Sequence, residues 1–252
     1  TDGDTIVHET HQSRNHSEIM MAQFGADISV AGTTVKLNGG NNLTAADVTV
    51  PGDISSAAFL IVLALITKDA DITIENVSLN ETRAGIIDVV KEMGGKLTIT
   101  EHDSTGEKFG DIRVQYTADL KPFHIDGDII PRLIDEIPIL AVLAVFANGE
   151  STVKGAEELR FKETDRITAV ISELEKFGVS FEEYKDGFKV IPGYNTVKQN
   201  ELFKGYHDHR IIMMLIVMAI AANTNIEIDD SSAIDVSFPS FVSDLEGLRK
   251  DR

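Results

Sequence analysis

A helix-like stretch ending at glycine and followed by two short alternating segments occurs three times, and this repetition most constrains the fold. The copies run over 17–25 with strands at 26–30 and 33–37, over 81–94 with strands at 96–100 and 111–116, and over 163–178 with strands at 179–183 and 187–191. In the third copy Ile167, Val170, Ile171 and Leu174 fall at i, i+3, i+4 and i+7, which predicts an amphipathic helix with one buried stripe. Thr164 is the expected N-cap and Gly178 the expected left-handed C-cap. The following segments alternate apolar and polar residues, so each sheet should have one covered face.

A second element alternates with the first. It is an almost wholly apolar helix followed by a short strand, at 55–66 with 71–75, at 134–147 with 151–154, and at 209–222 with 225–228. A helix apolar around most of its circumference belongs inside other layers. The pieces assemble into repeated β-α-β-α-β-β units, an α/β architecture with internal parallel helices and outer mixed sheets. The expected domain boundary lies at Pro51-Gly52, dividing residues 1–50 from 51–252. The first part carries only the helix-and-hairpin half of a unit. The chain also opens Thr-Asp-Gly-Asp-Thr, without Met or a basic-then-apolar signal, and is expected to be a piece of a longer protein.

Composition excludes several functions. The longest apolar runs, 57–66 and 211–222, fall short of the roughly 20 residues needed to span a bilayer. A net charge of −18 repels nucleic acid and anionic lipid. The absence of cysteine removes a disulfide framework, a thiolate zinc site and a cysteine nucleophile, and fits a reducing cytoplasm.

Polar clusters recur at helix starts. Arg160-Phe-Lys-Glu-Thr-Asp-Arg166 places Lys162 and Arg166 four apart, where Arg suits a carboxylate and Glu163 suits proton exchange. Its spacing fits an ordinary charged helix start equally well. Arg210, in Tyr206-His-Asp-His-Arg210, stands where the helix dipole disfavours a cation, so an anion should compensate it. His207, Asp208 and His209 invite a metal reading, although three consecutive residues rarely converge on one ion. Asp135 and Glu136 open an apolar helix, either as dipole partners or as a carboxylate that holds a hydroxyl and takes its proton. Asp53 with Ser55-Ser56, and Ser13-Arg14-Asn15-His16, are further helix starts of this kind. Parallel packing would aim these starts at one cleft that attracts an anion.

Pro51-Gly-Asp-Ile-Ser-Ser-Ala-Ala58, Asp135-Glu-Ile-Pro138, Gly155-Ala-Glu-Glu-Leu-Arg-Phe-Lys-Glu-Thr-Asp-Arg166 and Asp208-His-Arg210 together resemble the 5-enolpyruvylshikimate-3-phosphate synthase family, in family order, from about Ser13 to Ser237-Phe-Pro-Ser-Phe. The resemblance implies an inside-out enolpyruvyl transferase fold, incomplete here, and transfer of the carboxyvinyl group of phosphoenolpyruvate to the 5-hydroxyl of shikimate 3-phosphate. It implies no metal and no organic cofactor. By the same resemblance residues 1–50 are a remnant of the shikimate-phosphate-binding domain, and 51–252 form the domain carrying the phosphoenolpyruvate side. Ser13 and Arg14 then match ligands of the shikimate phosphate. Asp135 matches the base, Lys162 the lysine near the reacting centre, and Glu163 the proton donor. Arg166 and Arg210 match the pair that grips the phosphoenolpyruvate carboxylate and glyphosate, with His209 beside them.

The family's Leu-Pro-Gly-Ser-Lys-Ser and Gly-Asn-Ala-Gly-Thr motifs are absent, and Asp235-Val236-Ser237-Phe238-Pro239 lacks a lysine found in some members. The isolated chain is therefore expected to be inactive, to bind phosphoenolpyruvate or glyphosate weakly or not at all, and to need the family's N-terminal half as a partner. Two alternatives stand. One is a relative of UDP-N-acetylglucosamine enolpyruvyl transferase, disfavoured by the lack of cysteine and the presence of Lys-Glu-Thr-Asp-Arg. The other is a non-catalytic truncated domain.

Overall fold

The computed structural model describes residues 2–198 and 201–248. The elements in chain order are β1 (Thr5–His8), α1 (His16–Gln23), β2 (Ile28–Ala31), β3 (Thr34–Leu37), α2 (Ile54–Ile66), β4 (Asp71–Ser78), α3 (Gly85–Glu92), β5 (Lys96–Glu101), β6 (Phe109–Gln115), β7 (His124–Ile125), α4 (Ile130–Leu133), α5 (Ile137–Val145), β8 (Ser151–Val153), α6 (Arg166–Leu174), β9 (Ser180–Tyr184), β10 (Gly187–Ile191), β11 (Leu202–Phe203), α7 (His209–Ala221), β12 (Glu227–Ile228), α8 (Ile234–Ser237) and α9 (Phe241–Gly247).

The expected alternation of inner and outer helices is present. Every residue of α5 is buried, as are most of α2 and α7, and these three apolar helices pack on one another. The amphipathic α3 and α6 bury one side, with Ile167, Val170 and Leu174 inside as the periodicity requires. Outside lie the sheets β4-β6-β5 and β7-β8-β10-β9. A parallel crossover recurs with each inner helix: Gly52 bridges Val77, β7 pairs with β8, and β11 pairs with β12. Antiparallel pairing of β4 and β5 with β6, and of β8 and β9 with β10, completes mixed sheets around the helices.

Because each crossover enters its inner helix from the same kind of parallel strand, the starts of α2, α5 and α7 meet. Ser55 in the first turn of α2 hydrogen-bonds Glu136 just before α5, and Arg210 in the first turn of α7 donates to the Asp135 carbonyl at 3.0 Å. The helices are thus parallel, and their positive dipole ends face one region.

Several local expectations are corrected. The N-cap of α6 is Asp165, not Thr164, because the Asp165 carboxylate accepts from both the amide and the hydroxyl of Thr168, at 3.0 and 2.9 Å. The helix expected from Glu81 starts at Gly85. The Asn80 side chain captures Thr82 through its amide (2.8 Å) and hydroxyl (2.6 Å), a local turn that competes with helix. The helix expected over 134–147 opens instead with a 3-10 turn at Ile134–Glu136, preceded by the short α4, and continues as α5, with Pro138 in the first turn of α5. Gly178 does end its helical segment with φ +76°, after a final 3-10 turn. The strand β1 was not foreseen; it pairs antiparallel with β3. Nor were α8 and α9, which pin Phe241 against Phe59 of α2 with ring centroids 6.0 Å apart.

Burial is uneven along the chain. No residue of 2–50 is buried, and Met20 and Met21 on α1 are 52% and 40% exposed, whereas the core runs from Ile54 to Leu245. The centre of that core is α5. Leu140→Ala should cost about 2–5 kcal/mol, the range for a truncated, fully buried leucine. Urea unfolding followed by circular dichroism measures it, with little loss expected for the exposed Leu43→Ala.

Candidate active site at the converging helix starts

The centre of the site is a single carboxylate. Asp135 sits in the 3-10 turn that leads into α5, with its side chain 13% exposed. Five cations surround it. Arg14 donates at 2.7 Å and Arg166 at 3.3 Å, while Arg83 and Arg210 stand at 3.8 Å and Lys162 at 4.0 Å. Burial pushes the Asp135 carboxyl up, but Arg210, Arg14 and Lys162 outweigh that effect and hold it at about 2. The carboxylate is therefore ionised at any physiological pH.

Arg166, at the first residue of α6, is 1% exposed, and a bare guanidinium there would oppose both burial and the helix dipole. Three acids offset that cost. Asp208, fully buried, accepts from Nε at 2.8 Å, Glu163 accepts from Nη2 at 2.6 Å, and Asp135 accepts from Nη1. Asp208 also caps α7 by accepting from the Arg210 amide at 2.9 Å, so one acid fixes Arg166 and the start of the Arg210 helix together. Asp208 thus offsets the dipole at the start of α7, while the Arg210 guanidinium itself has no carboxylate oxygen closer than 3.8 Å among the described residues.

Behind Asp135 lies a second, buried layer. Glu136 is 1% exposed and accepts a hydrogen bond from the Ser55 hydroxyl; Arg83 donates to that same oxygen at 2.5 Å. Burial raises the Glu136 carboxyl, against the pull of Ser55, Arg210 and Arg83. In front, Arg14, Arg83, Asp135 and Arg210 line a cavity of about 820 Å³, whose other walls include 47–54 and 103–107. That volume suits a pair of small metabolites.

Of the residues singled out from the sequence, Arg14, Asp135, Lys162, Glu163, Arg166 and Arg210 are brought together. Lys162 is tied to Glu158 at 2.6 Å on the rim. Ser13 is not in the cluster. Its amide and hydroxyl both turn to Glu9, and it lines a smaller cavity of about 280 Å³. His209 opens α7 half-buried, its imidazole pKa lowered by burial and by the adjacent Arg210. The histidines around Asp208 do not converge on it: His207 reaches Asp230 at 3.2 Å while Asp208 serves Arg166. Among the described residues no group of three or more His, Asp and Glu is placed to hold a metal ion, and no helix is long and apolar enough to cross a membrane.

Sequence reasoning missed Arg83, and treated Asp208 only as a metal candidate. A signal for Arg83 existed in the repeat. Arg14 and Arg83 each stand eleven residues before a positive-φ glycine, Gly25 and Gly94, and Arg166 stands twelve before Gly178. The three units contribute one arginine each to the same carboxylate.

Because the Asp135 carboxyl is depressed from 3.8 to about 2, its ion pairs stabilise the fold above pH 4 and fade as pH falls toward 2. The stability gap between the chain and Asp135→Asn should shrink by about 2 kcal/mol over that window. Urea unfolding at stepped pH measures the gap, and the Asp135 carboxyl carbon resonance reports its titration directly.

The profile of the family EPSP synthase (3-phosphoshikimate 1-carboxyvinyltransferase) matches residues 1–245. The 3-phosphoshikimate 1-carboxyvinyltransferase of Bacillus subtilis (strain 168) is 47% identical over 250 residues, covering 99% of this chain and 58% of that protein. Its counterpart in Listeria monocytogenes serovar 1/2a is 45% identical over 251 residues, with the same shares. A solved EPSP synthase from Acinetobacter baumannii superposes with a TM-score of 0.89 at 36% identity, covering 98% of this chain and 57% of its own. The enolpyruvyl transferase NikO from Streptomyces tendae shares the fold, with a TM-score of 0.79 at 18% identity over 98% of this chain and 56% of that one. The chain thus spans about 58% of the length of the curated relatives it matches. By its sequence, and by a fold shared with solved enolpyruvyl transferases, the chain belongs to the EPSP synthase family.

Proposed function

We propose that this chain serves the transfer of the carboxyvinyl group of phosphoenolpyruvate to the 5-hydroxyl of shikimate 3-phosphate, with release of phosphate. The observation that carries the reading is the ring of five cations around Asp135, open to a cavity of metabolite size. Two phosphorylated reactants bring several negative charges that must be held side by side. The buried or half-buried guanidiniums supply bidentate donors for them.

Each side chain then has a task. Arg14 takes the shikimate phosphate, with Ser13 rotated away from Glu9 to join it. Arg166 and Arg210 grip the phosphoenolpyruvate carboxylate, with His209 beside them. Asp135 accepts the proton of the reacting hydroxyl as its oxygen attacks the enol carbon, and Glu163 delivers a proton to the methylene carbon, with Lys162 near the reacting centre. The tetrahedral adduct then loses a methyl proton and expels phosphate, restoring the double bond. A carboxylate held at about 2 is a weak base. Incoming anions relieve this: each takes a cation that now serves Asp135, so substrate binding itself raises the basicity of the carboxylate.

The division of labour follows burial. Residues 1–50, none of them buried where described, belong to a shikimate-phosphate-binding domain, and 51–252 form the phosphoenolpyruvate-side domain. The length that the relatives have and this chain lacks is the source of the further substrate contacts and is the chain's natural partner. No metal or organic cofactor takes part in this reading, nucleic acid and membranes are not partners, and the cysteine-free composition suits the cytoplasm.

Phosphate release with both substrates tests the proposal. The chain alone should give none; added to the part of the Bacillus subtilis relative that the match leaves uncovered, it should turn over. Asp135→Asn in that mixture should lower the rate about 10²- to 10⁴-fold. Turnover by the chain alone would overturn the need for a partner, and an unimpaired Asp135→Asn would overturn the assignment of the base.

A further inference from the structure

We infer that Arg83, held from behind by the buried Ser55–Glu136 pair, is a further anion-binding arginine of the cleft, supplied by the second repeat unit. This deepens the substrate reading above and rests on it for the identity of the anion, a phosphate or carboxylate of one of the two reactants.

Three observations carry it. The first is position: Arg83 occupies the place in its unit that Arg14 and Arg166 occupy in theirs, and all three reach Asp135. The second is charge balance. Arg14, Lys162 and Arg166 each have a carboxylate oxygen within 2.7 Å. Arg83 has none closer than 3.4 Å, the half-exposed Asp53, and Arg210 none closer than 3.8 Å. Arg83 and Arg210 are therefore the two guanidiniums of the cluster with the least internal compensation. Both are nearly buried, at 11% and 12% side-chain exposure, where an uncompensated cation is costly and an incoming anion is most favoured.

The third is orientation. Nη2 of Arg83 is engaged by Ser55, whose hydroxyl proton goes to Glu136, so the serine presents a lone pair to the guanidinium. Nη1 faces Asp135 at 3.8 Å, beyond hydrogen-bond length, and both residues line the large cavity. A fixed rear nitrogen and a forward one with donors to spare make a pre-set clamp. Ser55 and Glu136 act through Arg83 and are positioning residues.

The test is a titration of the chain mixed, as in the turnover assay, with the part of the Bacillus subtilis relative that the match leaves uncovered, followed by amide resonances of the chain, with inorganic phosphate, phosphoenolpyruvate and shikimate 3-phosphate as separate probes. Arg83→Gln should weaken inorganic phosphate and one of the two organic anions by about 10- to 100-fold, the worth of one charge-assisted hydrogen bond. The organic anion affected identifies which reactant Arg83 holds. Arg83→Lys, which keeps the charge but not the fork, should weaken the same probes by a smaller factor, and it decides the matter if Arg83→Gln fails to fold. Ser55→Ala should loosen binding in the same probes without altering the others. Affinities unchanged within twofold in the Arg83 variants would overturn the inference, as would a wild-type mixture that binds no probe. Phosphate binding that depends on Arg83, without binding of either organic anion, would sustain the inference and sink the transferase reading instead.

Discussion

One carboxylate organises this protein's functional end. Asp135 has arginines from three repeat units and a further arginine and lysine within 4 Å, and most of that charge is shielded from water. Taken singly, several of these cations are badly placed. Arg166 is buried at a helix start, and Arg210 follows a helix cap, where the dipole is positive. They are tolerable together because Asp135, Asp208 and Glu163 neutralise them in a shared network. Removing the acid at its hub would leave the cations facing one another across a cavity.

The same arrangement explains how a resting site can be both stable and receptive. On the proposed function, the acids that hold the arginines in place are stand-ins for ligand charge, which a substrate phosphate or carboxylate would replace at little cost in position. On that reading Asp135 would pass from counter-ion to free base. The proposed reactivity would draw on the same set of ion pairs that stabilises the site, so it would be set by electrostatics and need no large rearrangement of the apolar core beneath.

That core supplies the geometry. Apolar helices α2, α5 and α7 run parallel because each follows the same parallel crossover, and their starts meet as a consequence. The sheets lie outside and the amphipathic helices between, so polar residues collect only at the helix ends and on the outer surface. Residues 2–50 contribute Arg14 to the cluster while burying none of their own side chains, which ties that segment to the rest mainly through polar contacts such as Asn15 with Asn80 at 2.8 Å.

The sequence by itself determined the repeat, the two helix classes, the α/β layering and six of the clustered charges, because periodicity and helix-start chemistry are local and leave their mark residue by residue. Boundaries were less legible. Asn80 and Asp165 capture nearby backbone groups and shift helix starts by one to four residues, a competition that hydrophobic pattern does not report. Only the tertiary structure decided that Arg83 joins Arg14 and Arg166, that Asp208 serves an arginine instead of a metal, and that Ser13 turns to Glu9. Those outcomes depend on which side chains from distant units share a buried volume. Charge pairing across 31 to 121 positions of chain is settled by packing, not by spacing along it.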